Sequence, residues 1–285
     1  MDNIYISESF CAWIDLLGYG SAFYSSNWDI HSPSALNNLK RIQLLEPITT
    51  SIFSPYNETL FSLNDGFIRN FDIPKNNVIL ILGWFIDVML KFKGINEADI
   101  QNGFYGARGV IAYGSRAQYR QFDSLGKGDF IYTAEETKRE YNKKRIVLTP
   151  SELQMNTAFS KAYIIESGGS RSGLINNKLH IDEKVLIKLA ETINTIGSDE
   201  FGLTEEDYVE NGPCIYKYTA VFCREAKTFL VKANCNGIEW DCFRMDFDNA
   251  ILYENERQSL TTHLYTPCKV CDSIYSPHDS GVFEL

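Results

Sequence analysis

The stretch Thr59–Ile73, TLFSLNDGFIRNFDI, reads as two strand-like runs, Thr59–Leu63 and Phe67–Ile73, joined at Asn64-Asp65-Gly66. Asp-Gly and the asparagine before it supply the positive φ angles that a tight hairpin needs, so this is the strongest turn signal in the chain. An antiparallel pair at this point fixes how the neighbouring segments are read.

Toward the N-terminus, residues 8–15 (ESFCAWID) form an apolar and aromatic run of strand length ending in Asp15. Leu16-Leu17-Gly18-Tyr19-Gly20 breaks that strand, and Ser21 to Tyr24 opens a helix. After a loop holding Ser32-Pro33-Ser34, residues 35–53 place Leu36, Leu39, Ile42, Leu45 and Ile48 at helical spacing. Beyond the hairpin, residues 77–93 read as a buried helix and Gly106 to Gly114 as another strand. Residues 1–115 thus give β-α-α-β-β-α-β, the order of a ferredoxin-like sheet with one extra helix. The predicted fold class is α+β: a ferredoxin-like antiparallel sheet with flanking helices and insertions.

The pattern weakens and turns basic over 116–150, with Arg116, Arg120, Lys127, Lys138, Arg139 and Lys143-Lys144-Arg145. Lys143 to Leu148 reads as a short strand, and Pro150-Ser151-Glu152 opens a helix carrying Ala158, Ala162 and Ile165. A Gly-Ser-rich break at 167–173, a helix near 183–196, aromatic strands at 214–223 and 228–232, and an amphipathic helix near 246–264 complete the chain. Without a repeat or a clear linker, residues 1–285 are read as one domain: 1–115, a basic insertion 116–150, and a C-terminal half 151–285.

Composition is that of a globular protein, with 44% hydrophobic and 22% charged residues. The formal net charge of −10 argues against a protein that coats nucleic acid, which needs a dominant basic face. MDNIYISES has neither a basic nor an apolar leader region. The most apolar run, Val78 to Leu90, contains Gly83 and Asp87 and falls short of the ~20 residues that span a bilayer. A soluble, cytoplasmic protein is expected. Its seven scattered cysteines fit reduced thiols; Cys268 and Cys271, with His263 as a loose third, could form half of a zinc site, but packed free thiols are the default.

Two aspartates stand out by position. Asp15 ends a strand where the chain bends, and Asp65 sits at the hairpin tip. In a ferredoxin-like sheet the first strand and the hairpin are neighbours, so both carboxylates can converge on one edge. Paired carboxylates there suit hard divalent cations that bridge substrate phosphates. The plainer alternative is that aspartate is common at strand ends and in turns.

Three motifs in order add to this. Phe10-Cys11-Ala12-Trp13-Ile14-Asp15-Leu16-Leu17-Gly18-Tyr19, Leu63-Asn64-Asp65-Gly66-Phe67 and Ala107-Arg108-Gly109-Val110-Ile111-Ala112-Tyr113-Gly114 resemble the first-strand, hairpin and R-x-G-I-x-x-G motifs of the class III nucleotidyl cyclases. The resemblance implies that Asp15 and Asp65 hold two Mg²⁺ or Mn²⁺ ions, with the Leu16 carbonyl as an extra ligand. It implies further that the backbone of Gly18, Tyr19 and Gly20 holds phosphate oxygens, although an ordinary strand-to-helix turn explains the same glycines.

Departures from the family pattern narrow the reading. Thr59 stands where purine-specific members carry a base-contacting lysine, and it is equally readable as a plain strand residue. Ser160 and Ile164 stand where the family's later helix carries its transition-state Asn and Arg, and Lys161 or Arg171 is a candidate replacement cation. Ala158 to Ser167 is similar to the A-L-x-x-A-Y-x-L-E segment of bacterial pyrimidine cyclases of the Pycsar antiphage systems, and Asn234 to Asp241 resembles their D-x-D-G-x-x-W/Y-D stretch. Membership would imply cyclic CMP or cyclic UMP made from CTP or UTP, a homodimer with shared sites, and a separate effector reached only through the cyclic nucleotide. The alternative is a catalytically inactive cyclase-like protein that binds nucleotides.

Overall fold

The computed structural model describes residues 5–49, 58–118, 153, 155–201, 214–255 and 258–270. The N-terminal part follows the expected order: β1 (Tyr5–Leu16), α1 (Tyr19–Ser25), α2 (Pro33–Thr49), β2 (Glu58–Leu63), β3 (Gly66–Asp72), α3 (Val78–Gln101) and β4 (Ala107–Gln118). Then come α4 (Thr157–Gly168), a 3-10 turn (Gly169–Ser172), β5 (Leu179–Asp182) and α5 (Glu183–Ile196). The remaining elements are all strands: β6 (Ser198–Phe201), β7 (Cys214–Cys223), β8 (Thr228–Cys235), β9 (Ile238–Asn255) and β10 (Gln258–Val270).

The ten strands among the described residues join one sheet in the order β2-β3-β1-β4-β5-β10-β9-β8-β7-β6. The run β2-β3-β1-β4 is the ferredoxin-like unit read from the sequence. β1 pairs antiparallel with both β3 and β4, and β5 adds on parallel to β4. Alternation along β1 separates two faces. Phe10, Ala12, Ile14 and Leu16 join the core under α3 and α5, while Cys11 and Trp13 join a second cluster with Ala158, Ala162 and Ile165 of α4.

Helix α3 forms because Asn77 caps it, its side chain accepting from Leu80 N at 2.8 Å, and because Ile81, Trp84, Phe85 and Val88 recur at helical spacing. All four are fully buried. Trp84 stacks between Phe71 (5.0 Å) and Phe10 (6.0 Å) and donates its Nε1–H to Glu58 at 2.9 Å. None of the helices among the described residues is long and apolar enough to cross a membrane.

Three expectations need correcting. The helix predicted near 246–264 is instead parts of β9 and β10. Phe243, Met245 and Phe247 are buried while Arg244 is exposed, a period-2 pattern that begins before residue 246 and places β9 between β8 and β10. The helix expected to open at Pro150-Ser151-Glu152 begins at Thr157, capped by Asn156, whose Oδ1 accepts from Phe159 N at 2.9 Å. Cys11, Cys223 and Cys242 are free thiols, as expected, but Cys235 is disulfide-bonded. The strand expected at 143–148 and Cys271 of the proposed C-x2-C pair lie outside the described residues.

Candidate functional site

Asp15 is the next-to-last residue of β1, and its register partners are Gly66 on β3 and Arg108 on β4. Asp65 precedes Gly66 in the hairpin, and Leu16 N donates to its carbonyl at 3.1 Å. The two carboxylates therefore share one sheet edge, as the hairpin reading anticipates. Asn64, at φ 57°, supplies the left-handed turn residue, and its side chain donates to Asp65 Oδ1 at 2.9 Å.

The electrostatics are those of crowded acids. Burial, then the neighbouring Glu166 and Asp65 carboxylates, push the Asp15 carboxyl up to about 8, against the opposing pull of Arg108 and Arg41. Half-buried carboxylates that repel one another favour a bound divalent cation, because the cation replaces that repulsion with attraction. The donor set fits Mg²⁺ or Mn²⁺: two carboxylates next to a backbone turn, with positions left for phosphate oxygens and water. Among the described residues no group of three or more His, Cys, Asp or Glu is arranged to hold a metal by itself.

Arg108 closes the other side of the edge. Its guanidinium is bound twice by Glu166 Oε1 of α4, with Nε at 3.0 Å and Nη2 at 2.5 Å, and Nη1 donates to Asn176 Oδ1 at 3.1 Å. This ties the end of α4 to β4 beside Asp15. A buried pair lies behind: Arg41 of α2 binds Asp99 of α3 through Nε and Nη2, both at 2.6 Å. Arg41 Nη2 also donates to the carbonyls of Leu17 (3.1 Å) and Gly106 (3.3 Å), and Asp99 Oδ2 accepts from Gly106 N at 2.8 Å. Sequence reading missed Arg41 and Asp99. The one signal was an arginine and an aspartate inside apolar helical patterns.

The other predicted residues fall as follows. Leu16 buries its side chain in the core and leaves only its backbone at the edge. Gly18, at φ 71°, caps the seven-residue α1; Gly20 lies in its first turn. Tyr19 is buried against Phe23, ring centroids 5.5 Å apart, so its side chain is core. Thr59 is half-buried on the α4 face of the sheet, the same face as Asp15. It pairs with Asn70, which pairs with Cys11, so it sits two strands away and about 13 Å along the strand direction from Asp15.

Lys161 is not brought to the carboxylates. Its ammonium is buried in an ion pair with Asp182 at the end of β5. Ile181, just before Asp182, is level with Ile111 of β4, so the pair lies several residues along the sheet from Arg108. The expectation that Lys161 contacts substrate is corrected on that ground, because its charge is already committed. Arg171, in the 3-10 turn after α4, is exposed and lines a cleft of ≈ 1060 Å³ bounded by Leu17, Gly18, Tyr105, Arg108 and Asn177.

No protein family matches the sequence, and no curated protein matches it. Solved structures that the chain matches include the catalytic core of a rhodopsin-guanylyl cyclase with converted specificity in complex with ATPαS. It is 13% identical over 72% of this chain and 92% of that one, with a TM-score of 0.34. Another is the non-canonical dimeric guanylyl cyclase domain of the RhoGC fusion protein from the aquatic fungus Blastocladiella emersonii. It is 12% identical over 72% of this chain and 94% of that one, with a TM-score of 0.32. Likeness of that degree assigns no activity.

Proposed function

We propose that this chain is a nucleotide cyclase that converts CTP or UTP to the 3′,5′-cyclic monophosphate and pyrophosphate. The observation that carries this reading is the convergence of Asp15 and Asp65 on one sheet edge beside Arg108. In the reaction the ribose 3′-oxygen forms a bond to the α-phosphorus. The bond from that phosphorus to the α–β bridging oxygen breaks, and pyrophosphate leaves.

Asp15 and Asp65 would hold two Mg²⁺ or Mn²⁺ ions, with the Leu16 carbonyl as a further ligand. Such ions, when bound, lower the pKa of the 3′-hydroxyl and neutralise charge on the phosphates. The chain's own residues set the geometry: Arg41 and Asp99 fix the turn after Asp15 and the turn before Arg108, and the Glu166–Arg108 pair fixes the floor. The backbone of Gly18, Tyr19 and Gly20 borders the place where phosphates would lie.

The pyrimidine preference rests on Thr59, whose one hydroxyl stands on the same sheet face as Asp15, with no lysine to meet a purine. A homodimer with shared sites, acting in the cytoplasm as one catalytic domain over 1–285, belongs to the same reading. So does a role as second-messenger synthase in antiphage defence, with an effector reached only through the cyclic product.

A second reading, a catalytically inactive cyclase-like nucleotide-binding protein, is favoured by α4. Ser160 Oγ donates back to Asn156 O at 2.9 Å, and Ile164 offers no polar atom. Incubation with each of the four ribonucleoside triphosphates and Mn²⁺, scoring pyrophosphate and cyclic product, separates the two. Cyclic product from CTP or UTP is expected. Tight binding of CTP or UTP with no product from any triphosphate would establish the second reading.

A further inference from the structure

Strand β7 is ten residues long, whereas β6, which ends the sheet beside it, has four. Their register runs from Ser198↔Lys217 to Phe201↔Cys214, so β6 covers only the first part of β7. Among the described residues no strand lies outside Tyr218–Cys223. That stretch reads YTAVFC, mostly β-branched and aromatic, with no charge, proline or glycine. A strand edge of this composition is the kind that recruits a further strand.

The edge is nevertheless closed, by groups from the end of α5. Outward-facing backbone groups alternate along a strand, so Tyr216, Tyr218 and Ala220 present theirs on the same side. Asp199 of β6 is the register partner of Tyr216. Gly197, the left-handed cap of α5 at φ 68°, accepts from Tyr218 N through its carbonyl at 3.0 Å. One rung further the chain is already helix, and Asn194 takes over. Its Oδ1 accepts from Ala220 N at 2.8 Å, and its Nδ2 donates to Ala220 O at 2.9 Å. A side-chain amide thus makes both bonds that a residue of a neighbouring strand would make. Asn194 is exposed, so core packing does not account for it.

We propose that Asn194 is an edge guard: its amide occupies the Ala220 rung and keeps the β7 edge of a second copy of this chain from pairing there. A second copy is the fitting partner because the same six uncharged residues can pair with themselves. Lys217 and Arg224 flank the stretch, but neither places a charge within it. The guard is independent of the chemistry at Asp15 and Asp65, because five strands separate β1 from β7 in the sheet.

The test compares variants of the full chain by sedimentation velocity over a range of concentrations, with amide exchange read at Ala220. In Asn194→Ala, exchange at Ala220 should quicken at least about fivefold, the effect of one lost hydrogen bond. The variant should also form species larger than wild type at equal concentration, and these should grow with concentration. Asn194→Ser, whose side chain is too short to span the rung, should behave alike and guards against a folding defect peculiar to alanine. Adding Val221→Lys, a charge beside Ala220 at a position 57% exposed, should return Asn194→Ala to the wild-type distribution. Thr195→Ala, which removes a hydroxyl bonded to Glu191 O within α5, should change neither readout. Wild-type sedimentation in both Asn194 variants, even with faster exchange at Ala220, would overturn the proposal. So would association that Val221→Lys leaves unchanged.

Discussion

Arg41 and Asp99, 58 residues apart in sequence, form a fully buried two-pronged ion pair that holds the turn after Asp15 against the turn before Arg108. Both side chains are at most 1% exposed. The pair spends its remaining donors and acceptors on backbone groups of Leu17 and Gly106, so neither residue can leave without stranding the other in a dry interior.

Asp99→Ala is therefore expected to destabilise the fold by about 3–5 kcal/mol in urea unfolding, the cost of an uncompensated buried charge. Arg41→Met combined with Asp99→Leu should recover part of that loss, because two apolar residues leave no lone charge. The double variant should still turn over poorly, since Gly106 N and the Leu17 carbonyl lose the partners that set the site's turns.

Asp15→Asn or Asp65→Asn is expected to abolish turnover while leaving the metal-free fold at least as stable as wild type. The reason lies in the burial of Asp15 and its crowding with Glu166 and Asp65, which disfavour its charged form in the fold, so a neutral amide at either position relieves that penalty. Mn²⁺ should raise the wild-type melting temperature by mass action and leave that of Asp15→Asn unmoved. A wild-type rate in either variant would sink the metal assignment.

His180 supplies a pH dependence. It is fully buried, its Nε2–H donating to Ile175 O at 3.1 Å while Thr266 Oγ1 lies 3.3 Å from Nδ1. Burial, and then the charges of Arg108 and Lys178, hold its pKa below the usual imidazole value, against the raising effect of the Ile175 carbonyl. The unfolded chain takes up a proton as pH falls through about 6.5, and the folded chain refuses it until lower pH. Stability should thus be complete above that value and decline below it, by up to about 1.4 kcal/mol per pH unit from this one group. His180→Gln should show a flatter decline when urea midpoints are compared across pH 7 to 5.

What could be read from the sequence was what short-range chemistry dictates. Asn64 takes the positive φ of the hairpin turn, whereas Gly66, also expected to supply one, does not; with the aromatic run before Asp15 specifying β1, the carboxylate edge still followed from local pattern. The residues that hold that edge did not. Arg41 and Asp99 lie in separate helices, and nothing in either helix names the other. Lys161 misled for the same reason: its helix was legible, but its partner Asp182 comes from a strand whose place beside β4 depends on the whole sheet. Residues 246–264 misled differently. Their apolar positions fit a helical period, and the alternation that marks β9 begins earlier, at Phe243.

Gly66→Ala tests how tightly the hairpin is seated. A Cβ at Gly66 would lie 2.6 Å from Trp13 Cζ2 and 2.7 Å from Trp13 Cη2, and no backbone φ strain is involved. The indole cannot yield easily, because Tyr163 packs edge-on against it at 5.2 Å and Phe159 at 5.9 Å. Overpacking of this kind typically costs about 1–3 kcal/mol, and here the hairpin is the element free to move. Since Asp65 adjoins Gly66, the shift should move its carboxylate from Asp15 and lower turnover more than stability alone accounts for. Trp13→Leu on the Gly66→Ala background opens the space that the new methyl needs. It should restore turnover relative to Gly66→Ala, although Trp13→Leu alone loses core packing. Additive losses in the double variant would show that the contact with Trp13 does not set the position of Asp65.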